Sequence, residues 1–204
     1  MKRWITALTI VFVAAAADSA RAQEMTPGPG KLEVSLIPGG FTFVTKKSSA
    51  DLPDFRSYDA GAALAYNFTR VVGVEGEVVG AFGLKKTFDE IGFTTKESAP
   101  NRLGYTANVV AMLPGRSIVP YATGGIGGNT LFKREVLDIF KSDTFFTGNV
   151  GGGVKWYAPG NRWGLRGDYR FEAIKSKDNA PEFFGNDNRF SHRVYGAVVI
   201  NAVK

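Results

Sequence analysis

The single histidine of this 204-residue chain, His192, directly follows Ser191, which makes this pair the first place to look for nucleophilic chemistry. A serine nucleophile needs a base within hydrogen-bond reach and a third group that orients the base. The pair lies in an alternating segment that predicts a β-strand, where neighbouring side chains point to opposite faces. We therefore expect the two side chains to be separated, and we predict no catalytic residue and no enzyme activity.

Metal and phosphate chemistry find equally little support. The chain has no cysteine and one histidine, so it lacks the clusters that hold zinc, and we predict no metal site and no cofactor. The glycine-rich run Gly124–Gly128 superficially looks like a phosphate-binding loop, but no Lys-Ser/Thr pair follows it. A close-packed glycine-rich strand is the simpler interpretation of this run.

Charges at every second position form a stronger pattern between Trp163 and Ala173. One face carries Trp163, Leu165, Gly167, Tyr169, Phe171 and Ala173, and the other carries Gly164, Arg166, Asp168, Arg170 and Glu172. A period of two indicates a strand whose faces meet different media. A strand of a soluble barrel turns its charges to water, whereas a transmembrane barrel strand turns its apolar face to lipid and its polar face to the lumen. This strand alone fits both arrangements.

The N-terminus favours export. A basic start (residues 1–3), an apolar run (residues 4–17) and an Ala-x-Ala site (residues 20–22) predict a signal peptide over residues 1–22 that is removed in the mature protein. Residues 23–30 then form a short Pro/Gly leader. Removal takes away three basic residues and one acidic residue, so the formal net charge falls from +6 to +4. A mild charge on an exported chain gives no reason to expect a nucleic-acid partner.

Alternating segments predict an all-β protein of eight strands with no helix. They are Lys31–Thr45, Arg56–Phe68, Val71–Leu84, Asn101–Leu113, Ile118–Phe132, Thr144–Tyr157, Trp163–Ala173 and Asn188–Val203. Long and short connections alternate between them, and Arg70, Arg116 and Arg162 mark the short ones. Long connections on one rim and short turns on the other are typical of outer-membrane barrels. We therefore predict an eight-stranded antiparallel up-and-down transmembrane β-barrel over residues 31–204, with both termini periplasmic and a bulge at Pro38–Gly40.

The cost of charge in lipid sets the direction of each face. An Arg or Lys at the middle of the membrane costs about 2–4 kcal/mol, so the charged faces must turn inward. We predict a plugging lumen charge network of Glu75, Glu77, Arg102, Arg166, Asp168, Arg170 and Glu172. Inward Gly151 and Gly153 leave room for long side chains of the neighbouring strand. Aromatic residues beside the short turns predict an interfacial girdle, namely Tyr66, Phe68, Tyr121, Trp156, Tyr157 and Trp163.

Five segments carry a resemblance to a known family. They are VVGVEGEVV (71–79), VPYATGGIGG (119–128), GNVGGGVKWY (148–157), WGLRGDYRF (163–171) and HRVYGAVVI (192–200). The chain resembles OmpA/OmpX-type outer-membrane β-barrels, close to the opacity-protein and porin-like group, over nearly all of its mature length. The resemblance implies an eight-stranded barrel with variable external loops. Members commonly end on an aromatic residue, and this chain departs from that pattern by ending Ala202-Val203-Lys204.

These observations predict a monomeric outer-membrane protein of a Gram-negative bacterium with a structural or surface-interaction role. We expect its partners to be outer-membrane lipid and lipopolysaccharide, and through its charged long loops a host surface or other envelope components. Three alternatives stay open: a small porin-like channel, a lipid A-modifying enzyme and a soluble lipocalin-like carrier. Some eight-stranded barrels modify lipid A with a His and a Ser near the membrane rim, but Val194 occupies the serine position of their H-x-S spacing here.

Overall fold

A computed structural model describes residues 29–46, 55–90, 93–98, 101–115, 117–132, 142–176 and 188–203. The predicted signal peptide, most of the predicted leader, Arg116 and much of the long loops lie outside the described residues. Within these ranges the chain forms ten strands: β1 (Leu32–Lys46), β2 (Phe55–Asn67), β3 (Val72–Gly83), β4 (Lys85–Glu90), β5 (Phe93–Ser98), β6 (Asn101–Met112), β7 (Ile118–Phe132), β8 (Ser142–Tyr157), β9 (Trp163–Ile174) and β10 (Arg189–Val203). In the described part of the chain, no helix has the length and apolar composition needed to cross a membrane.

Eight of these strands close into a barrel in the order β1-β10-β9-β8-β7-β6-β3-β2. Each neighbouring pair is antiparallel, and β1 pairs with β10 from Leu32 to Lys46, so no barrel strand is left as a free edge. The predicted eight-stranded antiparallel barrel is thereby confirmed, with strand ends that differ from the prediction by at most two residues.

The connections divide the barrel into two ends. Residues 68–71, 113–117 and 158–162 join strands at what we call the short-turn end, and the chain also enters and leaves the barrel there. The longer connections lie at the opposite, loop end. Between β8 and β9, Gly160 (φ 86°) and Asn161 (φ 55°) adopt left-handed conformations that glycine and asparagine tolerate best, which allows the chain to reverse tightly.

Side-chain exposure alternates along the barrel strands as the sequence predicted. In β9, Leu165 and Tyr169 are exposed on the outer wall, whereas Arg166 and Arg170 are buried inside. The same alternation separates exposed Val78 from buried Glu77 in β3. The barrel therefore has an apolar outer wall and a polar interior, which is the arrangement of a barrel that faces lipid.

A bulge interrupts β1 at the predicted place. Its register shifts between Leu36 and Gly39 against β10 and between Ile37 and Gly40 against β2. Leu36 and Phe41 both lie on the outer wall although they are five residues apart, which strict alternation would not allow. The Tyr58 hydroxyl donates a hydrogen bond of 2.5 Å to the carbonyl oxygen of Pro38. The extra residue of the bulge thus lets the apolar side chains of both halves of β1 face the outside of the barrel.

One part of the predicted architecture was wrong. The stretch from residue 85 to residue 100, predicted as a loop, contains the hairpin β4–β5, in which Lys85 pairs with Ser98 and Glu90 pairs with Phe93. This hairpin is a separate two-stranded sheet. Its charged residues suggested a loop, but its threonines and phenylalanines are residue types that favour strands.

Candidate functional site

Buried charges fill the interior of the barrel, so the lumen is the candidate functional site. Among the described residues, eleven charged side chains are exposed by 8% or less: Glu33, Asp59, Glu75, Glu77, Arg102, Lys155, Arg166, Asp168, Arg170, Glu172 and Arg193. All seven residues predicted for the lumen charge network are among them. Sequence reasoning missed the other four, Glu33, Asp59, Lys155 and Arg193, although each lies on the inward phase of its strand.

The centre of the lumen is a cluster around Arg166. Its Nη2 lies 3.2 Å from Glu75 Oε1 and 2.6 Å from Asp168 Oδ2, and its Nη1 also bonds Glu75 Oε2. Glu75 belongs to β3 and Arg166 to β9, which are four strands apart around the ring. One guanidinium therefore joins two carboxylates and connects opposite walls of the barrel.

Arg170 extends this cluster toward the loop end. Its Nη2 lies 2.7 Å from Glu75 Oε1 and 3.5 Å from Glu77 Oε2, and its Nε lies 3.1 Å from Asp168 Oδ1. Glu77 also bonds Arg193, and the Tyr195 hydroxyl donates to Glu77 Oε2 at 2.7 Å. The charges of β3, β9 and β10 thus form one continuous network, in which charge-assisted hydrogen bonds offset the cost of burial.

Two tyrosines belong to the lumen, which corrects the predicted girdle. Tyr121 and Tyr157 are 6% and 0% exposed. The Tyr157 hydroxyl donates to Glu33 Oε1 at 2.6 Å, while Lys155 Nζ lies 2.5 Å from Glu33 Oε2. The assignment of Tyr121 and Tyr157 to the girdle was therefore wrong. Tyr157 lies two positions after Lys155 and therefore on the same, inward face of β8. The glycine-rich sequence around Tyr121 does not indicate which face of β7 points inward.

Tyr121 connects the aromatic residues of the lumen to the central charges. Its hydroxyl donates to Asp168 and accepts a hydrogen bond of 2.7 Å from Arg166 Nε. An ideal Cβ built on Gly153 would lie 2.7 Å from this hydroxyl and would clash with the carbonyl oxygen of Gly167. The inward glycine on β8 therefore makes room for a long side chain of the neighbouring strand, as the sequence predicted for Gly153.

The other four predicted girdle residues lie on the outer wall near the short-turn end. Tyr66, Phe68, Trp156 and Trp163 are all exposed there. Tyr66 and Phe68 pack edge to face with ring centroids 5.2 Å apart, and Trp156 and Trp163 do the same at 5.7 Å. Their position at a membrane interface stays a prediction.

Apolar layers lie on both sides of the charged centre. The layer at the loop end consists of Val44, Leu131, Phe145 and Ile174. The layer at the short-turn end consists of Val110, Met112, Val119, Tyr121, Tyr157 and Val199. An eight-stranded barrel has an interior just wide enough for side chains to fill, and these layers with the charges between them occupy it.

His192 and Ser191 do not form a catalytic pair. Ser191 is fully buried inside the barrel, and His192 lies on the outer wall with its Nδ1 2.8 Å from the Tyr169 hydroxyl. The His192 ring also packs 5.3 Å from the ring of Phe171. This separation follows from strand alternation, as the sequence predicted. No group of three or more His, Cys, Asp or Glu side chains in the described ranges is arranged to hold a metal ion.

Comparisons with known proteins agree with this geometry. The structure of Neisserial surface protein A superposes with a TM-score of 0.63 at 11% identity, covering 85% of this chain and 99% of that chain. The structure of Ail, the attachment invasion locus protein of Yersinia pestis, in complex with the heparin analogue sucrose octasulfate gives a TM-score of 0.50 at 14% identity, covering 84% and 99%. At such low identity these likenesses show the fold alone. No curated protein matches the chain.

A family model described as outer membrane protein beta-barrel domain matches residues 5–198. This match covers nearly the whole chain and confirms the resemblance seen in its strand segments. The chain belongs to the family of outer membrane protein β-barrel domains.

Proposed function

We propose that the protein is a non-conducting outer-membrane barrel with a structural or surface-interaction role. Residues 1–22 act as a cleaved signal peptide, residues 31–204 form the barrel domain, and both termini face the periplasm. The observation that carries the proposal is the continuous network from Glu75 through Arg166, Asp168 and Arg170 to Glu77, which crosses the lumen between two apolar layers.

The energetics of this network support a plug. Removing one partner of a buried ion pair costs about 3–5 kcal/mol, because the other charge is left uncompensated. Arg166 and Arg170 both hold Glu75 and Asp168, so a continuous aqueous path past them would require several such contacts to break together. A stable open pore is therefore costly for this interior.

The surface role rests on the loop end. The loop end carries ten basic residues interspersed with nine acidic ones. The basic residues are Lys46, Lys47, Lys85, Lys86, Lys96, Lys133, Arg134, Lys141, Lys175 and Lys177, and the acidic residues are Asp51, Asp54, Asp89, Glu90, Glu97, Asp138, Asp143, Asp178 and Glu182. Ail, which shares the fold, was solved in complex with a heparin analogue. By analogy, the partners proposed here are polyanions, either the phosphates of lipopolysaccharide or sulfated groups of a host surface, bound by a monomeric barrel.

Conductance tests the plug. Purified protein in planar bilayers is expected to show no large, stable single-channel current. A variant that loses the bulky lumen tyrosines, Tyr121→Ala with Tyr157→Ala, is measured beside it to test whether their removal opens the lumen. Large and stable currents from the native protein would instead favour the porin-like alternative.

Location and processing need separate measurements. Membrane fractionation with heat-modifiable gel mobility should place the folded barrel in the outer membrane, and release without detergent would favour a soluble carrier. N-terminal sequencing of the mature protein should give Gln23 as its first residue. An altered lipid A mass profile on overexpression would favour the lipid-modifying alternative.

Binding to polyanions tests the surface role. Protein in detergent is expected to bind heparin beads and lipopolysaccharide, and a variant with Lys133→Glu, Arg134→Glu and Lys141→Glu should bind more weakly because attraction becomes repulsion. Binding that does not change with these charges would contradict a loop-end polyanion site.

A further inference from the structure

The two ends of the barrel differ in how their charges are balanced. The loop end mixes acidic residues with basic ones, whereas the three turns of the short-turn end contain no Asp or Glu and one arginine each, namely Arg70, Arg116 and Arg162. Arg70 and Arg162 are exposed, and Lys31 adds another exposed cation where the chain enters the barrel. The short-turn end therefore carries positive charge that no carboxylate of its turns balances, which attracts anions to it.

Two of these cations line one pocket at the short-turn end. The pocket lies between the entry segment (residues 29–31) and the end of β2 with its following turn (residues 67–70), and it has a volume of about 350 Å³. Ligand pockets measure about 300–1,000 Å³, so this volume suits a small headgroup rather than a whole lipid. Lys31 and Arg70 bring two positive charges to the pocket, and Phe68 brings an aromatic ring.

Hydrogen bonds hold both sides of the pocket in place. Asn67 donates from its side-chain Nδ2 to the carbonyl oxygen of Gly30 at 2.6 Å, and from its backbone amide to the carbonyl oxygen of Lys31 at 2.9 Å. The Gly30 amide donates to Asn201 Oδ1 on β10 at 3.2 Å. In the turn, Thr69 Oγ1 accepts hydrogen bonds of 3.1 and 3.0 Å from two backbone amides. The pocket is therefore formed in advance, so a ligand pays little entropy to shape it.

The outer wall beside the pocket is apolar. Tyr66 and Phe68 are exposed there with their rings packed edge to face, and Lys31 Nζ lies 5.9 Å from the centroid of the Tyr66 ring. A free anion would use the cations alone, whereas a phospholipid offers a phosphate to the cations and acyl chains to the wall. Basic residues at a membrane surface attract anionic lipids, and a zwitterionic headgroup would bring a positive group against them.

We propose that this pocket binds the headgroup of an anionic glycerophospholipid, with Lys31 and Arg70 paired to its phosphate and its acyl chains lying along the outer wall at Tyr66 and Phe68. The inference rests on the proposed function, because the pocket lies in the periplasmic leaflet only when both termini are periplasmic. It adds an anion site at the end of the barrel opposite to the polyanion site, with a different ligand.

Fluorescence quenching by brominated lipids tests the proposal at the pocket itself. The predicted mature chain has two tryptophans, so Phe68→Trp serves as the reporter in a variant that also carries Trp156→Phe and Trp163→Phe. In phosphatidylcholine vesicles, brominated phosphatidylglycerol is expected to bind beside the reporter at least ~5-fold more tightly than brominated phosphatidylcholine with the same acyl chains. Arg70→Gln should reduce this preference about 5-fold. Equal binding of the two lipids at the reporter would overturn the proposal.

Arg162→Gln is the matched control for Arg70→Gln. It removes one positive charge from the same end of the barrel, but Arg162 does not line the pocket. Because salt screens charges that lie farther from the bound headgroup, the preference for phosphatidylglycerol should fall less than about 2-fold in this variant. Equal losses in Arg70→Gln and Arg162→Gln would indicate attraction by the whole end of the barrel and would overturn a specific pocket.

Native mass spectrometry tests the chain without a reporter. Protein in detergent with equal amounts of phosphatidylglycerol and phosphatidylcholine is expected to retain phosphatidylglycerol preferentially. Arg70→Gln should lose this preference and Arg162→Gln should keep it. No preferential retention by the native protein would overturn the proposal, whether or not the Phe68→Trp variant folds.

Heat-modifiable gel mobility separates the two possible failures. A native chain that does not fold into vesicles would contradict the membrane barrel and this lipid site together. A folded barrel without a lipid preference would contradict the lipid site alone and would leave the plugged outer-membrane barrel standing.

Discussion

Arg166 and Glu75 face each other across the barrel and form a two-bond contact, with Nη2 3.2 Å from Oε1 and Nη1 bonded to Oε2. Since they lie on β9 and β3, on opposite sides of the ring, the contact holds two walls that share no backbone hydrogen bonds. Asp168, two residues from Arg166 on the same face, completes a site in which one cation satisfies two anions.

Arg166→Ala is expected to destabilise the barrel by about 3–5 kcal/mol, because Glu75 and Asp168 lose one of the two guanidinium groups that they share in a buried site, and one negative charge is left uncompensated. Urea-dependent unfolding in lipid vesicles measures the change in free energy of unfolding. Arg162→Ala provides the matched control, since Arg162 is exposed in the turn between β8 and β9, and should change stability by no more than about 0.5 kcal/mol. Similar losses at both positions would contradict the network.

Coupling between the two partners gives a second prediction. Glu75→Ala should cost less in the Arg166→Ala background than in the native protein, because the interaction has already been lost. A double-mutant cycle measures this difference, and contacting buried charges typically show a coupling of about 0.5–3 kcal/mol. Additive effects would mean that the contact contributes nothing of its own.

Tyr157→Phe tests the corrected place of this tyrosine. Loss of the hydroxyl that donates to Glu33 should reduce the free energy of unfolding by about 1–3 kcal/mol, because a buried charged acceptor loses one of its partners. Tyr66→Phe is the control on the exposed outer wall and should stay within about 0.5 kcal/mol. If the Tyr157 hydroxyl lay at a membrane interface, the two variants would behave alike.

The outer wall is tested by placing a charge on it. Val150 and Ile118 are 59% and 58% exposed, but Val150 lies in the middle of β8 and Ile118 is the first residue of β7, beside a short turn. Val150→Arg should cost about 2–4 kcal/mol and Ile118→Arg about 0–1 kcal/mol, because the cost of charge in lipid depends on depth. Unfolding from vesicles distinguishes them, and equal costs would argue against a lipid-facing wall.

Glycine at position 153 should be required by packing. A Cβ there would clash with the Gly167 carbonyl oxygen and crowd the Tyr121 hydroxyl, whereas a Cβ on Gly148 of the same strand would meet nothing within 4 Å. Gly153→Ala is therefore expected to lower the urea midpoint by an amount that corresponds to at least ~1 kcal/mol, the low end for overpacking. Gly148→Ala should be neutral or slightly stabilising, because alanine restricts the unfolded chain.

Sequence alone was enough to predict the barrel and the direction of its faces. The reason is that alternation separates the two faces of each strand. Arg166 and Arg170 could not be placed in lipid, so their face of β9 had to point inward, and the charges of the other strands agreed with this orientation. Glu33 and Lys155 were not predicted as network members because each is a single charge near the end of its strand.

The sequence could not determine whether a residue that suits both lipid and the lumen points outward or inward. Tyr121 is amphipathic and lies beside a run of glycines, so neither lipid nor lumen was excluded by its chemistry. The partners across the lumen were also beyond reach, because contacts such as Lys155 with Glu33 join residues more than a hundred positions apart. Those pairings depend on how the ring closes, which local periodicity does not determine.

The seam between β1 and β10 joins the first and last strands of the barrel. Until the final strand arrives, both growing borders of the sheet expose unpaired amide and carbonyl groups, which hydrocarbon cannot satisfy. Premature termination within residues 189–203 should accordingly leave a product that neither inserts nor persists, so that completion of synthesis and entry into the bilayer become a single all-or-none event.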